Sequence, residues 1–117
     1  MPQQNGLYLK GGLLNSLFSE IDGERAERII STYGSEELEG VFSNKELTGA
    51  CLCLFENDLN VSLTASKLYM HRNTLIYGIN KIKRLCGLDL RKFSDAVTFL
   101  LLYALRTAKN GGLGDKN

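Results

Sequence analysis

A chain of 117 residues with 44% hydrophobic content and a single proline is long enough for one small, largely helical domain with a modest core. Its net charge of +1 hides two unlike parts: residues 62–92 hold seven Lys or Arg against one acid, whereas residues 1–61 hold four against ten. A polyanionic partner for one stretch only is implied, and a membrane span is excluded because the longest apolar run, around Phe99 to Leu105, is too short to cross a bilayer.

In chain order, residues 1–12 contain Gly6, Gly11 and Gly12 without periodicity and read as a loose arm. Leu13, Leu14, Leu17, Phe18 and Ile21 recur at spacings of three and four, predicting an amphipathic helix that ends near Gly23. Ala26, Ile29, Ile30 and Tyr33 make a second apolar stripe, closed by Gly34 at a C′ position. Residues 35–42 read as a short helical turn or loop. Ser43 followed by Glu46 fits a capping box, opening a third helix on Leu47, Ala50, Cys51, Leu54 and Phe55. Residues 56–60 form a polar connection.

Ser62 is placed to cap a helix through Leu68, with Ala65 and Leu68 on its core side. A turn over residues 69–71 follows, plugged by Met70, and a second helix runs from about Arg72 to Cys86 and stops at Gly87. The spacing from Ala65 to Leu75 suits two helices meeting across a tight turn, the helix-turn-helix arrangement. At about 100° per residue, Leu75, Ile79, Ile82 and Cys86 share a core stripe, while Asn73, Tyr77, Asn80 and Arg84 lie opposite. Arg72, Asn73 and Thr74 occupy the first turn, where a recognition helix meets base edges: Asn pairs with adenine, Arg with guanine, and Thr or Tyr with phosphate or a thymine methyl. Lys81, Lys83 and Arg84 suit the flanking phosphates. A short turn then leads to a last helix, with Ser94 as N-cap and Asp95 in its first turn. Val97, Leu100, Leu101, Ala104 and Leu105 form one apolar face and Phe99, Leu102 and Tyr103 add others, so a second partner surface is expected, from the first two helices or from another subunit. Residues 110–117 (NGGLGDKN) read as a disordered tail.

The run Asn60-Val61-Ser62, Thr64-Ala65, Leu68-Tyr69, His71-Arg72-Asn73-Thr74-Leu75, Tyr77, Lys81-Ile82 and Gly87-Leu88-Asp89-Leu90 resembles the C-terminal helix-turn-helix of the PucR family, the group that includes the carbohydrate-diacid regulators of bacteria. The resemblance covers about residues 45–105, and residues 13–42 are similar to the helical tail that joins that family's middle domain to this module. It implies an all-α fold, a small helical bundle around a Fis-like helix-turn-helix in residues 43–109. It further implies a transcription regulator that binds double-stranded DNA as a homodimer, with an effector-sensing region absent from this chain. An acidic start without a clear domain opening agrees with a chain cut from a longer protein. Carried over by position, the DNA contacts are Ser62, Thr64, His71, Arg72, Asn73, Thr74 and Tyr77, with His71 either reaching a phosphate or capping the helix.

Two positions depart from that pattern. The family commonly has Arg-Tyr-Arg after Thr-Leu, whereas this chain has Ile76-Tyr77-Gly78. Gly78 sits at the flank of the core stripe, where close packing explains it, and Ile76 points toward the groove or an exposed edge. Two guanidinium groups are thereby lost, so weaker DNA binding than the family norm is predicted, carried by Lys81, Lys83, Arg84, Arg91 and Lys92. The same departures leave a second reading open, a degenerate helix-turn-helix serving protein–protein contact or dimerisation.

Catalysis is not indicated. One His, no nucleophile beside a base, no metal-ligand cluster and no phosphate-binding glycine loop predict a non-enzyme without cofactors. Three cysteines without a CxxC pair predict buried, reduced thiols in a cytoplasmic protein.

Overall fold

The computed structural model describes residues 12–109, and these are all helix and turn, with no strand. The expected all-α fold is therefore what the chain forms. Seven helices follow one another among the described residues: α1 (Leu13–Phe18), α2 (Gly23–Tyr33), α3 (Glu36–Ser43), α4 (Lys45–Glu56), α5 (Val61–Lys67), α6 (Arg72–Cys86) and α7 (Phe93–Lys109). The expected loose arm, apart from Gly12, and the tail of residues 110–117 lie outside the described residues. Contacts group α1, α2 and the part of α7 from Leu100 onward into one compact unit, and Ser35 to Phe99 into another.

In the first unit, the Asp22 carboxylate accepts from the backbone N–H of Arg25 at 2.8 Å and so caps α2. Gly23 consequently opens α2 rather than closing the helix before it, and α1 stops at Phe18. Leu14, Ala26, Leu100, Leu102, Ala104 and Leu105 are buried, whereas Tyr33, placed on the second apolar stripe, is exposed. Gly34 ends α2 in extended rather than left-handed conformation. Glycine is needed there for another reason: a Cβ would lie 2.7 Å from the carbonyl oxygen of Ile30.

The second unit starts ahead of residue 43 because residues 35–42 are helical rather than loop. Ser35 caps α3 by accepting from the Leu38 N–H, and Glu36, Glu37 and Glu39 complement the dipole of its first turn. α3 then packs against both α4 and α6. The capping box at Ser43 does not form. Asn44, one residue on, accepts from the Leu47 N–H at 3.0 Å, and Ser43 ends α3 with its hydroxyl donating to the Glu39 carbonyl. The core of this unit centres on Leu54, Ile82, Leu90 and Phe99, all fully buried. The Phe99 ring meets Phe42 and Phe55 edge-to-face, at centroid distances of 5.1 and 5.8 Å, contacts that add about 0.5–1.5 kcal/mol each beyond burial.

Two helices of this unit close in left-handed turns without glycine. After α4, Asp58 N–H donates to the Phe55 carbonyl and Leu59 N–H to Leu54; after α5, Tyr69 N–H donates to Ser66 and Met70 N–H to Ala65. Both are Schellman closures, in which the residue after the cap must turn left-handed. Asp58 and Tyr69 accordingly have φ of +56° and +52°, and Leu59, one residue beyond Asp58, has φ of +64°. α6 ends as expected at Gly87, φ +78°, whose N–H donates to Lys83. α7 begins at Phe93, so Ser94 lies inside its first turn and is not the cap.

Candidate nucleic-acid interface

The helix-turn-helix is α5 and α6, which pack on one another with Ala65 and Leu75 buried at the crossing. Asn60 rather than Ser62 caps α5, its side-chain oxygen accepting from the Leu63 N–H at 2.9 Å. This correction releases Ser62, which is exposed and accepts a 3.0 Å hydrogen bond from the Arg72 Nε. Two expected DNA contacts, one on each helix, are thus joined, and the Ser62 hydroxyl holds the Arg72 guanidinium over the start of α6. Thr64 cannot be a contact. It is 0% exposed, and its hydroxyl donates to the Asn60 carbonyl at 2.8 Å.

His71 caps α6: its Nδ1 accepts from the Asn73 N–H at 3.3 Å. In the neutral ring this places the proton on Nε2, a donor left for an outside acceptor. Along α6 the core stripe is Leu75, Ile79 and Ile82, with Cys86 half-buried at its end. Asn73, Tyr77, Asn80 and Arg84 are exposed on the opposite side, and Arg72 and Thr74 are exposed in the first turn. Ile76 is half-buried rather than at an exposed edge. Gly78 does lie at a packed flank, as expected, but the packing does not demand glycine: a Cβ there would lie 3.3 Å from Leu47 Cδ1, the movable tip of a side chain. Beside it, between α4 and α6, opens a groove of about 320 Å³ floored by Leu47, Ala50, Leu54 and Leu75, with Tyr77 and Lys81 on its lining.

The basic residues divide into two groups. Asp89, side chain 11% exposed, accepts at 3.1 Å from both the backbone N–H and the Nε of Arg91 and lies 3.8 Å from Lys83 Nζ. Arg91 in turn donates to Asn80 Oδ1 at 2.9 Å, and the Asp89 N–H donates to the Asp95 carboxylate at 2.9 Å. The Arg91 backbone N–H, its guanidinium and the Lys83 ammonium hold the Asp89 carboxyl below the usual carboxylate range against the opposing effect of desolvation. Asn80, Lys83 and Arg91 therefore brace the turn between α6 and α7, although Lys83 remains more than half exposed. Lys67, Lys81, Arg84 and Lys92 are exposed and carry no ion pair among the described residues. The brace had a sequence signal, an Asp two residues before an Arg in a turn, which is the pattern of an Asx turn.

The three thiols are unpaired. Burial pushes the Cys51 thiol up to about 12, and burial together with the Glu37 carboxylate raises that of Cys86, so neither is an activated nucleophile. Among the described residues no helix is long and apolar enough to cross a membrane, and no group of three or more His, Cys, Asp or Glu could hold a metal ion.

Comparison with known proteins agrees with this geometry. The carbohydrate diacid regulator of Escherichia coli K12 is 45% identical over 104 residues, 88% of this chain and 26% of that protein. The uncharacterized protein YxkF of Bacillus subtilis 168 is 38% identical over 82 residues, 69% of this chain and 26% of that protein. An uncharacterized protein of Haemophilus influenzae is 43% identical over 47 residues, 40% of this chain and 13% of that protein. The chain thus spans about a quarter or less of the relatives it matches, and no solved structure matches it. Residues 47–105, just over half of the chain and the whole of α5 and α6, match the PucR C-terminal helix-turn-helix domain, and the chain therefore belongs to that family of transcription-regulator modules.

Proposed function

We propose that this chain is the sequence-specific DNA-binding module of a bacterial transcription regulator, with α6 entering the major groove of double-stranded DNA. The observation that carries this reading is the exposed first turn of α6, where Arg72, Asn73 and Thr74 project beside Tyr77 with no carboxylate among them. Arg72 and Asn73 read base edges, Arg72 being oriented by Ser62, and Thr74 and Tyr77 add phosphate or thymine-methyl contacts. His71 contributes its Nε2–H to a phosphate while Nδ1 caps the helix. Lys81 and Arg84 meet flanking phosphates, Lys83 shares that role with its ion pair, and Asn80 supports the turn after α6.

A module of this size reads few base pairs, so the functional unit is a homodimer on a two-fold operator. The effector is sensed by a region outside these residues, and the regulator works in the cytoplasm, where its operators are. The protein-contact alternative loses support at one of the two departures, because Ile76 is half-buried and does not create an exposed apolar face.

Fluorescence anisotropy with random duplex DNA tests the reading: binding at low salt that weakens steeply at moderate salt is expected. No salt-sensitive binding at low ionic strength would sink it. Within DNA binding, R72A and N73A should reduce discrimination between sequences by about 1–3 kcal/mol per base contact.

A further inference from the structure

Three non-glycine residues among those described hold a left-handed backbone, and two have a local reason. Asp58 belongs to a residue class that tolerates the conformation, because its short polar side chain bonds locally. Leu59 is half-buried, so its side chain gains packing. Tyr69 has neither compensation. It is 98% exposed, and its phenol has no hydrogen bond or ring contact among the described residues.

The backbone conformation itself is required, since Tyr69 N–H to Ser66 and Met70 N–H to Ala65 close α5 and aim the chain into α6. Glycine would meet that requirement without strain. The side chain is thus unfavourable to the fold and buries nothing, the pattern expected where a strained residue serves a ligand. Its place names the ligand. When a helix-turn-helix docks, the first helix crosses the sugar–phosphate backbone and the second presents its first turn to the groove. The turn joining them borders the strand between, and Tyr69 stands in that turn, three positions before Arg72.

We infer that Tyr69 contacts the DNA backbone, its phenolic O–H donating a hydrogen bond to a phosphate oxygen of the strand bordering the groove that α6 enters. This rests on the DNA-binding reading above and adds to it a neutral, sequence-independent contact at the turn.

The test compares the full chain with Y69F and Y69G, by anisotropy on a labelled duplex at low salt and by thermal melting. Y69F should melt like the parent chain and bind every duplex about fivefold more weakly, with unchanged salt dependence because no charge is lost. Y69G should melt a few degrees higher, freed of left-handed strain, and bind at least as weakly as Y69F. If the parent chain fails to bind duplex DNA, the DNA reading and this contact fall together. If the parent binds and both variants bind equally well, the contact is wrong while the DNA reading stands. Loss in Y69G alone would assign the contact to the ring and overturn the hydroxyl, and a Y69G chain that melts lower would make the side chain part of the fold.

Discussion

At the residue scale, side chains that look alike in sequence part according to what the fold does with them. Ser62 and Thr64 stand two positions apart, yet one orients Arg72 at the surface and the other is sealed beneath α5. Replacing Thr64 by Val should lower stability by about 1 kcal/mol through loss of the bond to the Asn60 carbonyl, and leave DNA affinity unchanged; melting and anisotropy measured together distinguish this from a contact role. Asp89 illustrates the opposite case, an acid within a basic segment that organises the cations around it. Its folded pKa lies below the ordinary 3.8, so its stabilisation is present above that pH and is lost as pH falls through the folded value. D89N should therefore lower the melting temperature at neutral pH and flatten the acid limb of the stability profile. An unchanged acid limb would show that other carboxylates set it.

At the scale of elements, the boundaries depended on which of several polar residues won each helix end. Ser43 and Asn44 both carry capping chemistry, as do Asn60 and Ser62, and in each pair the Asn caps. The winner is set by where the packed helix must begin, and a one- or two-residue shift is invisible to local propensity. The turns after α4 and α5 were placed by the sequence, but their left-handed Schellman geometry was not, because Asp58 and Tyr69 occupy positions where glycine would have announced it. Gly78, by contrast, was read correctly as a flank position. Ala there gains about 1 kcal/mol of helix propensity, while the new methyl meets only the movable tip of Leu47 at 3.3 Å. G78A should thus raise stability by roughly 0.5–1 kcal/mol in denaturant unfolding, and a loss would mean that Leu47 cannot yield.

For the whole molecule, the separation of charge along the chain becomes an argument about binding once the paired cations are set aside. Of the seven basic residues in 62–92, Lys83 and Arg91 are engaged by Asp89, leaving Lys67, Lys81, Arg84 and Lys92 exposed without ion pairs among the described residues and Arg72 held by Ser62. Converting Lys81 and Arg84 to Ala should weaken binding to all duplexes alike and flatten the dependence of log affinity on log salt by roughly two units, about 0.9 for each lost phosphate contact. R91A should act differently, loosening the turn after α6 and lowering stability with a smaller change in slope.

The all-α class, the helix-turn-helix over α5 and α6, the core stripe from Leu75 to Ile82 and the end at Gly87 followed from the sequence alone, because periodicity and glycine chemistry are local properties of the chain. The exposure of Arg72, Asn73, Thr74 and Tyr77, the residues proposed to read DNA, followed equally, from the angle around the helix for Asn73 and Tyr77 and from the first-turn position for Arg72 and Thr74. Tertiary structure alone decided that α3 is a packed helix joined to the motif, that Thr64 is interior, that Ser62 supports Arg72 and that the local Asp89–Arg91 turn draws in Lys83 and Asn80 from α6. Each of these depends on residues brought together from different helices or turns, and burial and partnership across such distances are set by packing, which no local pattern encodes.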